Sequence, residues 1–116
     1  MESIRKNSDF QLVYRSGKKM ANKYLIVFSM PNNREFSRLG VSVSKKIGNS
    51  VVRHRITRLL RESFRLNESE FHSSWDIIVV ARSGSVGSNF CEINRAFLKL
   101  LNLLGIIKNK DEKDIC

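Results

Sequence analysis

The sequence predicts an α+β fold: a single layered domain with its elements in the order α-β-β-α-β-α. Three observations carry this. At 116 residues the chain suits one domain and leaves little room for two. Tyr24–Met30 and Asp76–Arg82 are runs of β-formers, one closed by Pro31 and the other almost unbroken in its apolarity. Residues 51–66 and the stretch after Asn89 instead repeat their apolar residues at helical spacing. Helices and strands that alternate in this way pack as layers around one core.

The elements follow in order. Ser8-Asp9-Phe10-Gln11 has the form of a capping box, and Phe10, Val13 and Tyr14 continue at helical spacing to Gly17, which predicts a helix over 9–16. Tyr24–Met30 is the first strand, and Asn32-Asn33-Arg34-Glu35 after it is turn chemistry. Arg38–Ser44 alternates cleanly, with Leu39, Val41 and Val43 on one face and Gly40, Ser42 and Ser44 on the other. A basic loop, Lys45-Lys46-Ile47-Gly48-Asn49-Ser50, ends in a cap and leads into a long helix from Val51 to Leu66. After the 76–82 strand comes a Gly/Ser loop over 83–88. Ser88 or Asn89 then caps a last helix that runs to Leu104 and stops at Gly105. Residues 1–7 and 106–116 are expected to be flexible flanks of the single domain 1–116.

Charge narrows the function. Residues 1–66 hold 15 Lys and Arg against 4 Asp and Glu, a balance of +11, while residues 67–116 balance at −1. A basic half on a small folded domain points to a polyanionic partner: RNA, DNA or an anionic membrane surface. No apolar stretch reaches the roughly 18 residues of a membrane helix, and Met1–Lys6 lacks the apolar core of a secretory signal, so a cytoplasmic location and no membrane partner are expected. Two cysteines make neither a disulfide framework nor a zinc site; Cys91 is expected to be buried and Cys116 to sit on a frayed end.

The long helix carries most of the functional signal. On a wheel of roughly 100° per residue, Val52, Ile56, Leu59, Leu60 and Leu66 gather on one side with Ser63 and Phe64 beside them. Arg53, His54, Thr57, Arg58, Arg61 and Arg65 gather on the other, Arg55 lies at the boundary, and Lys45 and Lys46 stand just before it. A merely solvated face would mix its signs and pair them at i,i+4. Here Glu62 is the single acid, and arginine, which grips phosphate with two parallel donors, far outnumbers lysine. Phe10 and Tyr14, one turn apart, and Phe28 supply aromatic platforms, and the small Gly40/Ser42/Ser44 face would let a strand of nucleic acid approach the backbone.

Catalytic machinery is not visible. His54 and His72 are the only histidines, the acids are scattered without a two-metal motif, and Lys45–Asn49 lacks the spacing of a phosphate-binding loop. The residues alone therefore read as an RNA-binding subunit. The alternatives are a ribosome-associated or general single-strand RNA-binding protein without a catalytic RNA partner, then a DNA-binding helix, then a stand-alone nuclease.

The stretch Val43-Ser44-Lys45-Lys46-Ile47-Gly48-Asn49-Ser50-Val51-Val52-Arg53-His54-Arg55-Ile56-Thr57-Arg58-Leu59-Leu60-Arg61-Glu62 resembles the signature of the bacterial ribonuclease P protein family. Asp9-Phe10 with Tyr14 and Gly17, the Gly40–Ser44 strand and the Asp76–Arg82 strand match in order and spacing, so the resemblance spans about residues 5–104. It implies a small sandwich with an uncommon left-handed β-α-β crossover. It implies a catalytic RNA partner that hydrolyses precursor tRNA with Mg²⁺, held mainly by that RNA and the substrate. No catalytic residue and no obligate protein partner are expected in the chain. By position, the leader of precursor tRNA would meet Phe10, Tyr14, Phe28, Lys46, Arg53 and Arg61, and the catalytic RNA would meet Lys45, His54, Arg55, Arg58 and Arg65. Two departures stand out: His54 fills the middle of the family's Arg-Asn-Arg motif, and Thr57 stands where lysine is common.

Overall fold

A computed structural model describes residues 2–107. β1 (Glu2–Ser3) precedes α1 (Asn7–Ser16), and β2 (Lys18–Ala21), β3 (Leu25–Pro31) and β4 (Arg38–Ser42) follow. Then come α2 (Ser50–Asn67), β5 (Trp75–Ala81) and α3 (Phe90–Leu103), with short 3-10 turns at Glu68–Glu70 and Ser83–Ser85. The strands form one mixed sheet in the order β1-β4-β5-β3-β2. β5 lies at its centre, parallel to β4 and antiparallel to β3. β4 and β5 are joined through α2, which makes a β-α-β crossover.

Strand alternation divides the core in two. Leu25 and Val27 of β3, Leu39 of β4, and Ile77, Val79 and Ala81 of β5 bury one face beneath Ile56, Leu60 and Phe64 of α2 and Ile93, Phe97 and Leu101 of α3. The other face, with Ile78 at its centre, is covered by Val13 of α1 and by Ile4. The result is an α/β sandwich with two helices on one side of the sheet and one on the other. The chain departs from the sequence reading at both ends. The expected flexible flanks contribute Ile4 at 5% exposure and Ile106 and Ile107 at 0% and 3%. Ile4 donates its N–H to the Leu39 carbonyl at 3.0 Å, and Ile107 pairs with Phe71. Residues 108–116, including Cys116, lie outside the described residues; Cys91 is half-buried rather than buried.

Local signals explain the helices. Asn89 caps α3 with a full capping box, its side chain accepting the Glu92 N–H while Glu92 accepts the Asn89 N–H. Gly105, with φ of +77°, lets the chain turn back after α3. The capping box expected at Ser8 does not form. α1 begins at Asn7, after Lys6 with no side-chain cap, and Ser8 is already helical. On α2 the wheel misplaces one residue, since Leu66 is 50% exposed. The buried stripe runs through Ser63, which the wheel sets beside the apolar side, and continues to Asn67. Ser63 donates its hydroxyl proton to Asn94 of α3, and Asn67 donates to the same Asn94 oxygen at 2.9 Å and to the Ser63 carbonyl at 2.7 Å.

Candidate nucleic-acid interface

The aromatic residues expected in a cleft come together. Phe28 on β3 lies level with Ile78 and Gly40 across three strands. α1 crosses that row and sets Phe10 and Tyr14 on it. Tyr14 meets Phe28 edge to face, centroids 4.9 Å apart, and the Phe10 ring lies 6.3 Å from Tyr14. All three are half-buried, as suits side chains that close a core on one side and meet solvent on the other. Gly40 is not bare as the alternation suggested. A Cβ there would stand 2.7 Å from the Phe10 Cζ, so the missing side chain makes room for an aromatic ring rather than for an approaching backbone.

A buried ion cluster anchors α1 over this row. Arg38 donates to both oxygens of Asp76, at 2.8 and 2.6 Å, and to Asp9 of α1 at 3.2 Å. Asn32 adds a donor to Asp76 at 2.9 Å. Burial pushes the Asp76 carboxyl up, but the hydrogen bonds from Arg38 and Asn32 and the positive charges of Arg38 and Arg34 outweigh it and hold the group below the usual carboxylate range. The same contacts, hydrogen bonding to Asp76 foremost, raise the Arg38 guanidinium further above its already high value despite its burial. Asp9 and Asp76, scattered in sequence, thus converge on structural work.

α2 presents its cations as its wheel predicts. Lys45 and Lys46 ride exposed on a tight turn, where Ile47 donates its N–H to the Ser44 carbonyl at 3.0 Å. Asn49, one residue before the Ser50 at which the loop ends, caps the helix by accepting the Val52 N–H at 3.0 Å. His54, Arg55, Arg58 and Arg61 are exposed, and among the described residues none has an acidic partner. Two members differ from that pattern. Arg53 is half-buried and donates Nε to the Gly48 carbonyl at 3.2 Å. Arg65 pairs with Glu62 at 3.1 Å, so that arginine carries less uncompensated charge than the others. Among the described residues no hydrogen bond, ion pair or ring contact joins Lys46, Arg53 or Arg61 to the aromatic trio. α1 and α2 lie on opposite faces of the sheet.

One residue the sequence reading passed over belongs with the trio. Lys19 sits opposite Phe28 in the β2–β3 register and places its ammonium 5.6 Å from the ring centroid. The lysine pair at 18–19 was the available signal, but it becomes informative only once β2 is known to be a strand. Among the described residues no three His, Cys, Asp or Glu side chains gather as they would to hold a metal ion. No helix there is long and apolar enough to cross a membrane.

Comparison with known proteins settles the lineage. The family model described as Ribonuclease P matches residues 1–105. The chain belongs to the ribonuclease P protein family. The ribonuclease P protein component of Lachnoclostridium phytofermentans is 51% identical over 110 residues, 95% of each chain. Among solved structures, the RNase P protein of Staphylococcus aureus superposes with a TM-score of 0.85 at 35% identity, over 93% of this chain and 99% of that one. The RNase P protein of Thermotoga maritima gives 0.80 at 31%, over 89% and 97%. As a ribonuclease P protein component, the chain is a part of a tRNA-processing ribonucleoprotein and has an RNA partner. The α+β fold expected from the sequence agrees with these relatives, and the expected order α-β-β-α-β-α holds apart from β1 and β2, which it lacks.

Proposed function

We propose that the chain guides RNA within its ribonucleoprotein through two surfaces. The 5′ leader of precursor tRNA lies against Phe10, Tyr14 and Phe28, with Lys46, Arg53 and Arg61 supplying positive charge. The catalytic RNA is gripped through Lys45, His54, Arg55, Arg58 and Arg65. In this reading the RNA cuts the leader with Mg²⁺ held by RNA and substrate, the protein supplies no catalytic group, and the assembly works in the cytoplasm. The observation that supports it most is the half-buried aromatic cluster on one face of the sheet, paired with a helix on the other whose Arg55, Arg58 and Arg61 have no acidic partner among the described residues. Aromatic rings suit unpaired bases and arginines suit phosphates. His54 is exposed, and an imidazole can both donate and accept, a substitute for an amide with a different reach.

The deciding experiment is cleavage of precursor tRNA by purified protein with and without its cognate catalytic RNA. The protein alone should leave the substrate intact at every Mg²⁺ concentration; added to the catalytic RNA, it should lower the Mg²⁺ needed. In parallel, Phe28→Ala should weaken binding of precursor tRNA roughly tenfold to a hundredfold, the loss of one base–aromatic stack, and spare mature tRNA. Specific leader removal by RNA-free protein would refute the division of labour. Equal losses on both tRNAs from a stable Phe28→Ala protein would refute the cleft.

A further inference from the structure

A second concave surface lies at the β2 edge of the sheet. The turn between β2 and β3 and the exposed side of α3 enclose a groove of about 740 Å³. Its wall is held at several points by Asn22. The Asn22 amide donates to the Ala96 carbonyl of α3 at 3.2 Å, and its oxygen accepts the N–H groups of Tyr24 and Leu25, each at 3.0 Å. Arg82 donates to the Asn22 carbonyl at 2.7 Å. The groove is therefore preformed rather than waiting on a ligand.

Three cations and an aromatic ring stand on its otherwise mostly apolar lining. Lys23 holds its ammonium 5.0 Å from the Tyr24 ring centroid, and Arg95 and Lys99 stand one turn apart on the exposed side of α3. Among the described residues none of these three cations has an ion-pair partner. Two like charges one helical turn apart repel each other, and an anion lying between them reverses that. The one carboxylate on the lining, Glu92, accepts the Asn89 N–H in the α3 cap. This arrangement matches a nucleic-acid strand, with phosphates on three flexible cations and a sugar or base edge on Tyr24. The rest of the lining is mostly apolar, with Leu98, Leu100, Leu103 and Ile107, and the outer strand β2 borders it; three cations without acidic partners against one carboxylate engaged in a cap favour a polyanionic backbone as occupant.

The groove is separate from both surfaces described above. α3 packs on the sheet face opposite Phe10, Tyr14 and Phe28. α2 lies over β4, whereas α3 lies over β3 and β2, towards the far edge of the sheet. We propose that the groove between the β2–β3 turn and α3 is a further RNA-binding surface, engaging the ribose–phosphate backbone through Lys23, Arg95 and Lys99. Which RNA supplies that backbone rests on the reading above; that an RNA does so rests on the groove alone.

The test uses the full chain carrying Arg95→Gln and Lys99→Gln together. Binding to the catalytic RNA and, separately, to precursor tRNA is measured across a salt series beside wild type and Arg58→Ala. Removing one or two phosphate contacts should flatten log K against log salt by about 1 to 2 units on the RNA that the groove holds. Thermal stability should be unchanged, since both side chains are exposed. A change confined to one RNA supports the proposal and identifies the source. Unchanged slopes on both RNAs, with Arg58→Ala still flattening its own, would overturn the groove and assign it to a protein partner or to bare solvent. If Arg58→Ala changes nothing either, both this proposal and the reading of α2 fall. Should the double variant lose stability, Lys23→Gln, outside any helix or strand, repeats the measurement with an expected change of about 1 unit and the same refuting outcome.

Discussion

Gly40→Ala probes the aromatic row with the smallest possible change. An added Cβ would stand 2.7 Å from the Phe10 Cζ and 2.9 Å from its Cε1. Carbon atoms rest at about 3.5–4.0 Å, so the ring tip must withdraw by about 1 Å. α1 itself is not free to retreat, because Val13 is fully buried and Asp9 is tied to Arg38. The ring therefore swings on its own bonds, and its half-buried position gives it somewhere to go. Overpacking costs about 1–3 kcal/mol in tight cores. With only a flexible ring displaced, a value of about 1 kcal/mol is expected, or a fall in Tm of about 4 °C for a domain of this size. Losing a well-placed stacking surface should remove about 1 kcal/mol from leader binding, roughly a fivefold loss. The assay pairs thermal unfolding with affinities for precursor and mature tRNA. Precursor binding should weaken while mature tRNA is bound as before. An unchanged precursor affinity, with Tm lowered as expected, would show that the position of the Phe10 ring does not matter to the leader.

Three further outcomes follow from other parts of the molecule. Asp76→Asn leaves Arg38, 12% exposed, with only Asp9 as a charged partner, and should destabilise the fold by about 3 kcal/mol; a loss under about 1 kcal/mol in chemical denaturation would mean the pair is solvated. Because the folded Asp76 carboxyl titrates below its unfolded value near about 3.9, its contribution is complete above that pH and is lost as pH falls through the folded pKa. Wild-type stability should therefore fall below about pH 4 more steeply than that of Asp76→Asn, and matching acid limbs would refute the assignment. Arg58→Ala should flatten log K against log salt by about one unit for catalytic-RNA binding, and an unchanged slope would make Arg58 an ordinary solvated side chain.

What could be read from the sequence followed hydrophobic burial. β3, β4, β5 and α3 declare themselves because their apolar residues face a core, and the α2 arginines because they avoid it. β1 and β2 left no such trace. Glu2–Ser3 and Lys18–Ala21 are short and polar, and they are strands only because the backbones of β4 and β3 offer partners. Missing β2 hid Lys19 from Phe28 and hid the groove beside α3. The role of Ser63 and Asn67 was hidden for a related reason: their partner Asn94 lies on another helix, 31 and 27 residues away. The aromatic trio was legible as a set, but the relation between Gly40 and Phe10 was not, since a glycine in a strand does not say which neighbour fills its space.

The Ser63–Asn67–Asn94 cluster bears on how accurately α2 is aimed. Leucine and isoleucine contacts are nearly indifferent to a few degrees of roll about a helix axis, because apolar surfaces attract without direction. Hydrogen bonds are not indifferent, and a buried amide left without partners costs about 1–3 kcal/mol. Turning α2 by one residue would swing it through 100° and pull Ser63 and Asn67 away from Asn94 together. The three side chains act as a detent that stops α2 at one angle on α3. That angle decides which arginines stand proud of the surface, so a few polar atoms in the interior set the direction of charge outside.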